Sequence, residues 1–299
     1  MNLSTVFILI PVHNRRSTTL ACLAHLEAIG ILSTTHIVVI DDGSTDGTAE
    51  AIQTSYPTVE LLTGRGDWWW TGAIRQGMAY GIAQGADWLI WLNDDCLPAP
   101  ATIPTLIEFL QSHPRAIAAP ACYLPHASQP EVSGFRGRQR VAASPDQVIE
   151  VEGTSGYCVA MPRSVVATIG LPDADRLPHY GGDGIYLLQA RRAGYSIYVL
   201  GHAQATLVGE TNPVYQFAGY VRSLNQPNWK RIFWYRKSPY YLPAQFYYHQ
   251  IKYGNLLGPL LFLAKFLTWT GKWVIAVLRF LKYAYRRGTR PCAPTDVPH

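Results

Sequence analysis

Acidic side chains nearly vanish from the end of this 299-residue chain. From Lys230 onward the only one is Asp296, while lysine and arginine continue throughout. Charged residues make up 15% of the chain and hydrophobic ones 48%. That balance is too apolar for a fully soluble enzyme and fits a core-rich domain with a membrane-facing part. The five cysteines, Cys22, Cys96, Cys122, Cys158 and Cys292, show no paired spacing. This excludes a disulfide framework or zinc motif and leaves reduced thiols in a cytosolic setting as the simplest reading. No basic stretch precedes the apolar run in MNLSTVFILIPVHNRR, and the run is too short to span a bilayer. It reads as a first strand rather than a signal peptide. There is no long low-complexity linker and no internal repeat. The length suits one large α/β domain or two modest ones.

What the sequence does contain is alternation. Residues 5–14, TVFILIPVHN, form a continuous apolar run, as a strand buried on both faces requires. Residues 17–30 follow as a helix, with Ser17 as N-cap, a stripe at Leu20, Leu23 and Leu26, and Gly30 as the stop. A strand at 36–40, a helix from about Thr48 to Ser55, a strand at Val59–Leu62, a helix at 71–85 and a strand at 87–94 continue the pattern. Residues 133–147 read as loop and edge hairpin, 153–170 as a strand turning into a helix, and 178–195 as a Gly-rich loop before a helix. The expected fold is an open, doubly wound α/β sheet, with ligands beyond the carboxyl ends of the strands.

Carboxylates gather at those ends. Asp94 and Asp95 close the strand in WLNDDCLP. Adjacent acids there suit Mg²⁺ or Mn²⁺, which need only one or two protein carboxylates besides substrate phosphates. They suit a solvated strand end with an Asx-turn equally well. Asp41 and Asp42 in VVIDDGSTDGT can accept hydrogen bonds from a pyrimidine ring or ribose, with backbone N–H groups offered by a helix start at Thr45. The competing reading is an ordinary strand–turn–helix capped by Asp46. Asp183, after two glycines, can act as a general base held ionised by the helix N-terminus, or simply cap that helix.

Taken together, IPVHNR (10–15), VVIDDGSTDGT (38–48), TGAIRQG (71–77), IWLNDDC (90–96), GTSGYCVAMPRSVVATIGLPD (153–173) and YGGDGIYLLQARRAGY (180–195) make the chain resemble the family 2 inverting glycosyltransferases of the GT-A fold. The likeness covers roughly residues 5 to 210. It implies a nucleotide-sugar pocket with Pro11, Val12 and Asn14, the pyrimidine on Asp42 with Asp41 close by, and Arg75 in the helix that closes over the nucleotide. It makes Asp95 the metal ligand, Asp94 the neighbour of the sugar or ribose, and Asp183 the catalytic base. The implied donor is a UDP- or dTDP-sugar, the cofactor Mg²⁺ or Mn²⁺, and the acceptor a hydroxyl of a glycan or lipid-linked saccharide in cell-surface polysaccharide synthesis. The sequence departs from the family at Asn93, at Gly182 where Glu is usual, at Ile185, and at His202, which is offset from the family's late histidine.

Three tryptophans in a row, in GDWWWTGA, cannot share one buried face. Trp69 or Trp70 can stack on a donor or acceptor sugar, or plug the space beneath the nucleotide loop. The WW pair loosely resembles relatives handling rhamnose or galactofuranose. The expected domains are 1–225, the transferase, and 226–299, a basic aromatic membrane-associating region. In the latter Lys265, Lys272, Arg279 and Arg286 recur every seven residues along one helical stripe. No run there reaches the roughly 20 apolar residues of a span. Breaks are expected at Gly258-Pro259 and Gly271. The expectation is a helix lying in the membrane interface, peripheral on the cytoplasmic face, with dimer packing as the competing reading. The aliphatic content argues against nucleic acid. A non-catalytic binding subunit remains a rival. A sugar-1-phosphate nucleotidyltransferase is disfavoured, because PVHNRR stands where its GxGTR-like loop belongs.

Overall fold

The computed structural model describes residues 3–131, 134–137, 139–209, 216–224 and 227–286, with side chains described as far as residue 282. Cys292, Asp296 and the expected boundary at 225/226 lie outside the described residues. The chain divides into two compact units, Met1–Gly209 and Glu210–His299.

The first unit is built on a nine-stranded mixed sheet. β1 (Val6–Val12) lies between β2 (His36–Asp41) and β4 (Trp88–Leu92), parallel to both, and β3 (Glu60–Thr63) continues beyond β2. The far half joins β11 (Cys158–Pro162), β6 (Ala116–Tyr123), β12 (Ser196–Leu207) and β5 (Cys96–Pro98), with β9 (Val148–Val151) also on β12. β10 (Gly153–Thr154), β7 (Gly134–Arg136) and β8 (Gln139–Val141) form a separate three-stranded sheet, which includes the expected hairpin.

The continuous apolar runs have their explanation in the helices on both faces. Val6, Ile8 and Ile10 face one core with Leu23 and Leu26 of α1 (Arg16–Ala28) and Leu106 of α4 (Thr102–Ser112). Phe7 and Leu9 face the other, with Ile74 and Met78 of α3 (Trp69–Ala83) and Leu187 of α6 (Gly182–Arg192). Alternate residues of one strand thus serve opposite layers. Each fully buried side chain of this kind contributes about 1.5–3 kcal/mol by leaving water. α2 (Thr48–Ser55) and α5 (Ser164–Ile169) complete the unit. This is the expected α/β architecture. Val12 is level with Asp41 in the register, so the carboxyl ends of β1 and β2 finish together.

One helix start differs from expectation. α1 begins at Arg16 with Arg15 as N-cap, and Ser17 falls inside the helix. The first N–H of α1 is capped from another loop, because Asp46 Oδ2 accepts from Arg16 N at 3.0 Å. α2 runs Thr48–Ser55 as expected, so the backbone N–H groups near Thr45 belong to the turn before it, and Asp46 Oδ1 accepts from Thr48 N at 3.1 Å. One carboxylate therefore serves two helix N-termini.

The second unit contains α7 (Phe217–Ser223), α8 (Trp229–Phe233) and α9 (Leu242–Arg286). Phe217, Tyr220, Ile232 and Phe233 form its core. α9 is broken at Gly254, where φ is 85°. The break is not at Gly258-Pro259 or Gly271. Pro259 follows within about a turn and a half of the break, where its missing N–H disturbs the ladder least. The expectation on length is also corrected. Leu242–Lys282, 41 residues, is long and apolar enough to cross a membrane despite its scattered cations.

Candidate active site

The site lies where β1, β2 and β4 end. Asn14, just past β1, takes a φ of 52°, which non-glycine residues adopt at local cost. The strain is held by a two-way clasp: Asn14 N donates to Ser44 Oγ at 2.8 Å, and Thr45 N donates to Asn14 Oδ1 at 2.7 Å. Asn14 therefore ties the turn after β2 to the end of β1. Pro11 is half-buried and Val12 buried beside it.

Asp41 and Asp42 are both buried. Asp41 Oδ1 accepts from Ser44 N at 2.8 Å and tightens the turn. Asp42 spends both oxygens on one loop, accepting from Gly66 N at 2.9 Å and Trp69 N at 2.7 Å. Gly64 is required here, since a Cβ would stand 2.6 Å from Asp42 Oδ1. Two adjacent carboxylates are tolerated at this buried strand end because each is satisfied by backbone donors. Trp69, at a φ of 48°, is the second strained non-glycine residue at this edge. Arg75 is committed to the Pro172 carbonyl at 3.2 Å.

Asp94 and Asp95 follow β4, and sequence reading missed what meets them. Arg15 forks across the pair, with Nε 3.1 Å from Asp94 Oδ1 and an Nη 2.9 Å from Asp95 Oδ2. Thr19 donates to the other oxygen of Asp94 at 2.9 Å. Asp94 is thus buried and fully engaged, while Asp95 remains partly open. Burial raises the Asp94 carboxyl to about 6, against the lowering pull of Arg15 and Thr19.

A divalent ion can be tested against these groups. Among the described residues no three His, Cys, Asp or Glu side chains form a metal-binding group. His202 is exposed on β12. Mg²⁺ or Mn²⁺ held by one carboxylate, with phosphate and water oxygens for the rest, still fits Asp95, provided Arg15 lets go of it.

Asn93, next to the acid pair, and Asp183 are linked through Trp70 and Gly156. Trp70 donates its indole N–H to Asn93 Oδ1 at 2.9 Å and stacks edge-on against Trp91. On its other side Gly156 brings the backbone so close that a Cβ would stand 3.0 Å from Trp70 and 3.1 Å from Asp183. Asp183 accepts from Gly156 N at 3.2 Å and Gly184 N at 2.7 Å. It keeps some open surface but is densely surrounded by protein. Burial pushes its pKa up, opposed by those two N–H groups.

Gly182 has a steric reason. A Cβ there would run into the Thr71 hydroxyl on α3, so the packing of α3 against the start of α6 leaves no room for a glutamate. Asn93 likewise has its own task, as the acceptor for Trp70.

The domain model for glycosyl transferase family 2 matches residues 7–166, more than half of the chain, and takes in Asp41, Asp42, Asp94 and Asp95 while ending before Asp183. The chain belongs to glycosyl transferase family 2. The comparison with curated proteins found no match. Among solved structures the family 2 chain resembles GalNAc-T7 with UDP, GalNAc and Mn²⁺ at a TM-score of 0.55 and 17% identity, over 83% of this chain and 50% of that one. It resembles S. aureus TarS at 0.54 and 13%, over 74% and 40% respectively. It resembles the mannosyltransferase PcManGT from Pyrobaculum calidifontis, in complex with GDP-Man and Mn²⁺, at 0.54 and 16%, over 94% and 80%. The chain spans half or less of the first two. At these identities the likeness establishes the GT-A fold alone.

Proposed function

We propose that this family 2 protein transfers a hexosyl-type sugar, with inversion, from a UDP- or dTDP-sugar to a hydroxyl of a glycan or lipid-linked acceptor in cell-surface polysaccharide synthesis. The observation that carries the reading is the short path from Asn93, next to the acid pair, through Trp70 and Gly156 to Asp183. It sets a carboxylate of raised pKa beside the end of β4, which suits a base that must take a proton near neutral pH. Asp183 takes the acceptor proton as the hydroxyl attacks, and Trp69 or Trp70 offers a flat face for a sugar. A cleft of about 480 Å³ beside α1, lined by Asn14, Arg15, Arg16 and Asp46 among others, suits an anionic group such as a diphosphate. Pro11, Val12, Asn14, Asp41 and Asp42 shape the nucleotide side, with Arg75 bracing α3 and Asp94 near the sugar or ribose. Mg²⁺ or Mn²⁺ on Asp95 would supply charge neutralisation for the departing nucleoside diphosphate. Residues 226–299 would hold the protein peripherally on the inner face of the membrane.

The competing reading, a non-catalytic binding subunit, draws on Gly182 and on the grip of Arg15 on both carboxylates. A thermal-shift panel of UDP-, dTDP- and GDP-sugars, with and without Mn²⁺, tests donor binding. A rise in Tm for one pyrimidine donor, reduced in Asp95→Ala, is the expected result by mass action. No shift with any nucleotide, on folded protein, would overturn the donor assignment.

A second prediction concerns Arg15. The Asp94 carboxyl, raised in the folded state, binds its proton more tightly there than in the unfolded chain. The contribution of Asp94 to stability therefore falls as pH rises from about 4 to 6. Arg15→Gln leaves the ionised Asp94 without its partner and is expected to cost about 1–3 kcal/mol at pH 7, a figure reduced from buried-pair values because Arg15 is 41% exposed. At pH 5 the cost should shrink, since a protonated Asp94 no longer needs a cation. Urea melts of both proteins at the two pH values decide it; equal losses would show that the pair does not control the stability.

A further inference from the structure

The second unit carries two apolar faces, and only one is used. Inward, Phe266, Trp269 and Trp273 of α9 pack on the core of their own unit. Trp229 lies 4.9 Å from Trp273, ring to ring, Tyr240 lies 5.2 Å from Trp269, and Trp273 donates to the Pro227 carbonyl at 2.7 Å. On the far side Leu260, Leu267, Val274 and Leu281 recur every seven residues, close to two helical turns, and so form one row. They are exposed by 65%, 62%, 43% and 45%. None of the apolar window of α9 is buried. Five residues on from each of the first three, on the flank between the two faces, come Lys265, Lys272 and Arg279, all exposed. The sequence holds no acid between Glu210 and Asp296, so the whole region is of one sign.

The same packing argues against a simple crossing. α8 lies alongside the middle of the apolar stretch, through Trp229 with Phe266 and Trp273. α8 also carries Lys230 and Arg231, both exposed. A perpendicular α9 would draw those two charges, and the polar ends of α8, into hydrocarbon, which is costly. A helix lying along the surface keeps them in water. Just past α8, Trp234 and Tyr235 are exposed beside Arg236 and Lys237, a pairing of amphipathic rings and cations that suits the headgroup layer.

Building on the peripheral attachment proposed above, we propose that α9 lies flat in the interface of an anionic bilayer. Its outer leucine row sits among the acyl chains, and Lys265, Lys272 and Arg279 sit against lipid phosphates. The occupant is an anionic bilayer rather than a second copy because the exposed surface is both apolar and uniformly cationic. Two such faces would repel, whereas an anionic surface attracts both features.

The test uses the full chain and sedimentation with phosphatidylcholine vesicles, with or without phosphatidylglycerol. Binding is expected to be much tighter to the anionic vesicles. Lys265→Gln/Lys272→Gln/Arg279→Gln should weaken anionic binding by roughly a hundredfold and leave binding to neutral vesicles unchanged. Leu260→Ser/Leu267→Ser should weaken both. These positions are exposed, so the variants are expected to fold. Bimane placed at Leu260→Cys or Leu281→Cys, in a Cys292→Ser background, should be quenched by spin-labelled lipid at equal shallow depth. Depths differing by most of a bilayer would overturn the proposal in favour of a span. Absent vesicle binding with a stable dimer in light scattering would overturn it in favour of self-association. UDP and dTDP binding measured on the same samples reports the transferase reading separately. Absence of both with vesicle binding intact would sink that reading and support this one.

Discussion

Asp183→Asn is expected to lower sugar transfer by roughly 10²–10⁴-fold while leaving donor binding within a few-fold of wild type. The amide keeps the shape of the carboxylate. Its oxygen can still accept from either Gly156 N or Gly184 N, so the start of α6 survives with one backbone donor less well satisfied. What is lost is the ability to take a proton. Because burial raises the Asp183 pKa, the wild-type enzyme should also lose kcat/KM as pH falls through that raised value, where the base becomes protonated. The Asn variant should show no such limb. Donor binding by calorimetry and transfer by product release, measured on one preparation, separate the two roles. Full transfer in the variant would remove Asp183 from the chemistry. Lost transfer with lost donor binding would make it a structural residue.

Gly182→Glu, which puts back the residue usual in the family, is expected to destabilise the protein rather than improve it. The new Cβ drives into the Thr71 hydroxyl, itself wholly buried and without a hydrogen-bond partner among the described residues. Overpacking of this kind costs about 1–3 kcal/mol, and the unaccommodated carboxylate adds to it. For a protein of this size the melting temperature should fall by about 5 °C or more. Gly182→Ala carries only the steric part. Combining it with Thr71→Ala removes two of the three clashing atoms, so the double variant should recover part of the loss, a coupling readable in a double-mutant cycle. An unchanged Tm in Gly182→Glu would show that the α3–α6 seam has room to spare, and the departure from the family pattern would then need another cause.

These two residues show where sequence reading succeeds and where it stops. The layered sheet was legible because each element carries its own period: doubly apolar runs such as VFILI for strands, and 3–4 spacing with Gly stops for helices. The positions of Asp41, Asp42, Asp94, Asp95 and Asp183 at strand ends and a helix start followed from those boundaries alone. The start of α1 was less legible. The caps of α1 and α2 both come from Asp46, and one of those bonds joins residues thirty apart in sequence. The partners of the carboxylates were missed for the same reason. Arg15 meets Asp94 and Asp95 across two strand ends, Thr71 meets Gly182 between two helices, and Trp70 meets Asn93 across the sheet edge. Nothing local marks such pairs. One signal for Arg15 was available: a cation directly after one central strand faces whatever ends the parallel neighbour, and that neighbour ends in two acids. The readings of Asn93 and Gly182 as missing functional groups rested on comparison with a pattern, whereas each has a defined partner in this fold.

The pairing of β6 with β12 sets Ala116 beside Ser196, and the intervening segment includes Asp183. Asp41, Asp42, Asp94 and Asp95 all precede that closure in the chain. The pairing of β1 with β4, Val6 beside Trp88, closes a loop of similar length, so loop entropy does not rank the two closures. Synthesis does: structure forms from the N-terminus during translation. A nascent chain emerging from the ribosome can therefore assemble β1, β2 and β4, with the acidic edge, before Asp183 has been made.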